Sequence, residues 1–145
     1  MSRRVLIALA AVVIVAIVGW QLAIRAFVAA PDELDLSLSK KSATGLYSVS
    51  LTPEQAPSRE GALQSFILTV KMADGTPVDV LRIAVGGGMP RHGHGLPVEP
   101  RVGAALGNGK YRIEGVKFSM AGWWQLKFTI DAPPGRDDVE FNIVL

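Results

Sequence analysis

The chain has 145 residues and no cysteine, so disulfides and thiolate-based metal or redox sites are excluded and stability has to come from packing. Its formal charge is +2, but Arg3, Arg4 and Arg25, three of the fifteen basic residues, fall in the first thirty positions, where there is no acid; the remaining twelve face thirteen acidic residues. A near-neutral domain has no basic face for neutralising phosphates, which argues against a nucleic-acid partner, and the length allows one domain with one core.

The first element is the uncharged run Val5–Ile24, VLIALAAVVIVAIVGWQLAI, whose only polar side chain is Gln21. At about 1.5 Å per residue, twenty residues make roughly 30 Å of helix, the thickness of a bilayer core. Arg3 and Arg4 precede it, while Asp32, Glu33 and Asp35 follow, so the positive-inside tendency places the N-terminus in the cytoplasm and exports the rest. Trp20 sits near the exit end, where an amphipathic ring favours the interface. The alternative is a cleaved leader ending at Val28-Ala29-Ala30, although Pro31 is unfavourable after a cleavage site and the apolar run is longer than a leader needs. The expected organisation is an anchor over 1–30, a polar tether over 31–44 and an exported β-domain over 45–145.

Within the domain, apolar residues recur with period two. Tyr47, Val49 and Leu51 share one face, then Phe66, Leu68, Val70 and Met72, followed by the turn Ala73-Asp74-Gly75-Thr76-Pro77. Leu81, Ile83 and Val85 read as inward. Asn108-Gly109 is a hairpin signal, because both residues tolerate positive φ. Tyr111 and Ile113 follow, and Gly115 shifts the parity to Val116 and Phe118, as a bulge would. Trp124, Leu126, Phe128 and Ile130 line the next inward face, leaving Trp123 outside. Val139, Phe141, Ile143 and Leu145 close the chain after Pro133-Pro134-Gly135. Six or seven short strands with one-sided burial and no amphipathic helix indicate an all-β fold, an immunoglobulin-like antiparallel β-sandwich preceded by one N-terminal transmembrane helix. A small closed barrel satisfies the same periodicity.

One segment departs from this pattern: Gly86-Gly87-Gly88-Met89-Pro90-Arg91-His92-Gly93-His94-Gly95-Leu96-Pro97, which contains both histidines. In an extended segment His92 and His94 project to one side, and flanking glycines let the backbone bend so that two imidazoles reach a common point. Without cysteine, the soft donors are thioethers; imidazole with thioether suits copper, particularly Cu(I), better than zinc. Met89 lies three residues upstream of His92, and Met120 joins the set if its connection shares an end of the sandwich with the His-rich loop. The plainer alternative is a loop whose histidines hydrogen-bond to backbone, with Met120 in the core.

The run Gly88-Met-Pro-Arg-His-Gly-His-Gly-Leu-Pro97, with Gly107-Asn-Gly-Lys-Tyr111, Gly115-Val-Lys-Phe-Ser-Met120 and Gly122-Trp123-Trp124, resembles the YtkA-like and FixH-like group of small membrane-anchored bacterial proteins. The resemblance covers roughly 45–145. It implies an immunoglobulin-like sandwich, a single-pass inner-membrane anchor with the domain in the periplasm, and copper handling, with Met89, His92, His94 and Met120 as the site and a membrane protein as recipient. The competing expectation is a non-metal module that docks on a membrane complex through its Gly/His-rich loop and Trp123. An enzyme is not expected, because both histidines share one loop and the carboxylates Asp79, Glu99 and Glu114 are scattered.

Overall fold

The computed structural model describes residues 3–28 and 33–145. Helix α1, Arg3–Val28, carries the apolar run and is long and apolar enough to cross a membrane. Its side chains from Leu9 to Ile24 are exposed, with no described residue covering them. Residues 29–32, which hold the alternative cleavage site and the start of the tether, lie outside the described residues.

The β-domain has two antiparallel sheets. One is ordered β1 (Ser39–Lys41), β2 (Tyr47–Pro53), β3 (Leu63–Met72), β7 (Lys110–Lys117), β6 (Arg101–Gly107); the other is ordered β5 (His94–Gly95), β4 (Arg82–Met89), β8 (Trp123–Ala132), β9 (Gly135–Val144). Leaving aside the short β1 and β5, these are the four- and three-stranded sheets of an immunoglobulin-type sandwich, in the same connectivity.

The alternation anticipated from sequence produces the core. Tyr47, Leu68, Ile113, Trp124, Leu126 and Phe141 are all fully buried. Phe118 packs on Trp124 with ring centroids 5.4 Å apart and on Phe66 at 6.4 Å, edge-on, arrangements that aromatic quadrupoles favour. Gly115 adopts φ +77°, and pairing shifts so that Gln64 faces Val116 while Phe66 faces Ile113: the expected bulge. Asn108 and Gly109, at φ 54° and 71°, close the β6–β7 hairpin.

One expectation needs correction. Leu81 is 76% exposed, because it precedes β4, where strand parity has not begun, and Val78 fills the neighbouring buried position. Toward the end of the polar segment the chain enters its first strand, β1, which pairs Lys40 with Val49 on β2.

Between the sheets, Asp137 acts as a clamp. It shares the inward parity of Val139 and Phe141 and is 4% exposed. Its carboxylate accepts hydrogen bonds from the Thr44 backbone N–H at 3.1 Å, the Thr44 hydroxyl at 2.7 Å, and the backbone N–H groups of Leu46 at 3.3 Å and Asp138 at 2.9 Å. Burial by itself would raise its pKa, but these donors and the Ser42 hydroxyl outweigh burial and hold it well below the usual carboxylate range. Nearby, the Tyr47 hydroxyl donates to the Gly135 carbonyl, a second tie between β2 and β9.

Candidate functional site

Both histidines lie on the β4–β5 hairpin, where Gly88 pairs with Gly95 and Met89 with His94. Pro90–Gly93 form the turn, closed by the N–H groups of His92 and Gly93 donating to the Met89 carbonyl at 3.1 and 3.0 Å. His92 and His94 are therefore neighbours through a turn, not through the two-residue repeat of an extended strand. Their rings lie nearly parallel, 11° apart, with centroids separated by 6.0 Å. His94 is exposed. His92 is half-buried, and its Nε2 is shielded from solvent with no hydrogen-bond partner. A buried ring nitrogen without a partner is costly.

Two of the three glycines before the hairpin, Gly87 and Gly88, sit where neighbouring backbone leaves no room for a side chain. Gly87, at φ +150°, lies so close to β8 that a Cβ would fall 2.1 Å from the Gln125 carbonyl oxygen. At Gly88, φ +159°, a Cβ would fall 2.1 Å from the His94 carbonyl oxygen. These residues let three strands approach closely, and their bare surface leaves a shallow depression beside His94, floored by Gly87 and Gly88 and flanked by Gln125 and Lys127.

Met89 is 2% exposed and belongs to the core. Its Cε reaches the β7–β8 connection, where a Cβ on Gly122 would stand 2.9 Å from it. The same connection presents Met120, 39% exposed, whose carbonyl accepts a 3.0 Å hydrogen bond from the Trp124 indole. The hairpin and the Met120 connection thus share one end of the sandwich, and the contact between them runs from Met89 to Gly122. Met89→Leu, which keeps volume and polarity, is expected to cost less than about 1.5 kcal/mol of stability; thermal unfolding checks this, and the variant then isolates the sulfur from the packing.

Trp123 faces outward as expected, but its indole N–H donates to Asn142 Oδ1 at 3.0 Å. Asn142 also accepts from Gln125 Nε2 at 3.2 Å and donates to the Asp35 carbonyl at 2.9 Å. Sequence reasoning passed over Asn142 and Asp137; the inward parity of Asp137 was the available signal for the latter. Among the described residues, no three His, Cys, Asp or Glu side chains gather in a way that could hold a metal ion. The contacts between the four candidate side chains are limited to the facing His92 and His94 rings; Met89 packs toward Gly122 in the core and Met120 is half exposed on the neighbouring connection.

The domain resembles the solved "ZirS C-terminal Domain" at 16% identity, over 80% of this chain and 82% of that one, with a TM-score of 0.39. No curated protein matches the chain. The profile described as YtkA-like matches residues 41–129, which include β2 through most of β8 and every candidate ligand. With that match spanning more than half of its length, the chain belongs to the YtkA-like family.

Proposed function

We propose that this protein binds one copper ion, as Cu(I), on the periplasmic side of a bacterial inner membrane and passes it to a membrane-embedded recipient. His92 and His94 supply nitrogen, and Met89 and Met120 supply sulfur. The observation that carries this reading is the shielded, unpartnered Nε2 of His92 beside the parallel ring of His94, at the end of the sandwich where Met89 meets the Met120 connection. A soft, low-coordinate ion suits a mixed imidazole and thioether set. Arg3 and Arg4 before the apolar run, with Glu33 and Asp35 after it, support a cytoplasmic N-terminus. In this reading the protein acts as a carrier and not as a catalyst.

Competition titration with a Cu(I)-specific chelator, on the full chain in detergent, tests the proposal. The parent chain is expected to take up one equivalent. The His92→Ala/His94→Ala variant is expected to bind at least about 100-fold more weakly, more than loss of an outer-shell partner typically costs. Equal binding by both proteins, or none by the parent, would remove the copper assignment.

A further inference from the structure

We infer that the end of the sandwich carrying the His92/His94 hairpin is the end that faces the membrane, so that the surface fits a partner embedded in the same bilayer. The nature of the cargo rests on the copper reading above and the membrane on the anchor reading. The placement rests on how the chain joins the domain.

Asp35 lies seven residues beyond Val28, the last residue of α1, and its carbonyl is held by Asn142 Nδ2 at 2.9 Å. Asn142 pairs with Gln125, Gln125 with Gly88, and Gly88 with Gly95, so these four residues form one row across the second sheet. At about 4.8 Å between strands, three spacings put the Asp35 contact about 15 Å from the strand that carries His94. The hairpin turn and the Met120 connection lie beyond this row, at the start of β8, where Gly122 and Leu145 exchange backbone hydrogen bonds of 3.0 and 3.1 Å.

From Asp35 the chain runs away from that end. Ala43 donates to the Asp138 carbonyl at 2.7 Å and Thr44 bonds the Asp137 carboxylate, both toward the opposite end of β9, near the Pro133-Pro134 turn. The chain therefore joins the domain at the hairpin end and proceeds outward. The Lys40 ammonium holds Asp35 from the other side, and this contact lowers the Asp35 carboxyl from its ordinary value. Seven residues reach at most about 25 Å, whereas a ten-residue strand spans about 33 Å. With this attachment, the hairpin stays close to the bilayer surface and the Pro133 turn stays a sandwich length further out.

Because the chain has no cysteine, single spin labels report position without background. Ser119→Cys and Arg136→Cys place exposed labels at the two ends. The metal-free full chain would be reconstituted in phosphatidylcholine vesicles containing a lipid with a gadolinium–polyaminocarboxylate headgroup, a hard ion that imidazole does not capture. Relaxation by the headgroup gadolinium is expected to be several-fold stronger at position 119 than at 136. Equal relaxation, or the reverse order, overturns the placement and leaves the copper titration untouched. A chain that fails to float with the vesicles overturns the anchor reading and this inference together, and a failed copper titration alters neither.

Discussion

Asp137→Asn is expected to lower the stability of the β-domain by about 2–4 kcal/mol at neutral pH, the scale of losing several hydrogen bonds to a buried charge. The substitution keeps the size of the side chain and removes its charge. One of two accepting oxygens becomes an amide that points donors at the donors of Thr44, Leu46 and Asp138. With about 4–8 °C per kcal/mol for a domain of this size, the unfolding midpoint falls by at least about 8 °C. The effect depends on pH in a defined direction. The folded-state pKa of Asp137 lies below its ordinary value of 3.8, so its stabilisation is present in full above the unfolded value and is lost as pH falls through that value toward the folded one. Melting curves followed by near-ultraviolet dichroism should show a wide gap between parent and variant at pH 7 that begins to narrow below about pH 4 and keeps narrowing as the pH falls further. A gap of constant width would mean that the carboxylate charge is not what secures the loop to β9.

Gly87→Ala is expected to be strongly damaging, at about 3 kcal/mol or more. The added carbon would lie 2.1 Å from the Gln125 carbonyl oxygen and 3.2 Å from the Leu126 Cα, both backbone atoms that cannot move without opening the β4–β8 ladder. The backbone there is also one that L-residues rarely adopt, with φ at +150°. Gly86→Ala is the control: its Cβ would meet nothing within 4 Å, so its melting temperature should stay within about 0.5 kcal/mol equivalent of the parent. Comparable losses at the two positions would contradict the close-approach account of this glycine run.

The legible parts of the fold were those set by local chemistry. The alternation from Trp124 to Ile130, the Asn108-Gly109 turn and the Gly115 bulge each depend on a few adjacent residues, and each has its expected form. Strands β1 and β5, of three and two residues, are defined by the strands they pair with and are too short to show a period. Strand β6, exposed along its whole length, shows no alternation because no face of it is buried. Leu81 misled because its parity continues that of Ile83 and Val85 across the start of a strand. At the site, composition pointed to the histidines and methionines but not to the reason for Gly87 and Gly88, since a close approach to Gln125 and His94 exists only once three strands are assembled. Asn142 is equally illegible, its role depending on a tether about a hundred residues earlier in the chain.

The measurement that bears most directly on the central claim is copper X-ray absorption on the Cu(I)-loaded full chain beside Met89→Leu. The account predicts a first shell containing both nitrogen and sulfur in the parent, with less sulfur in the variant. A first shell of nitrogen and oxygen alone, unchanged by Met89→Leu, would contradict it.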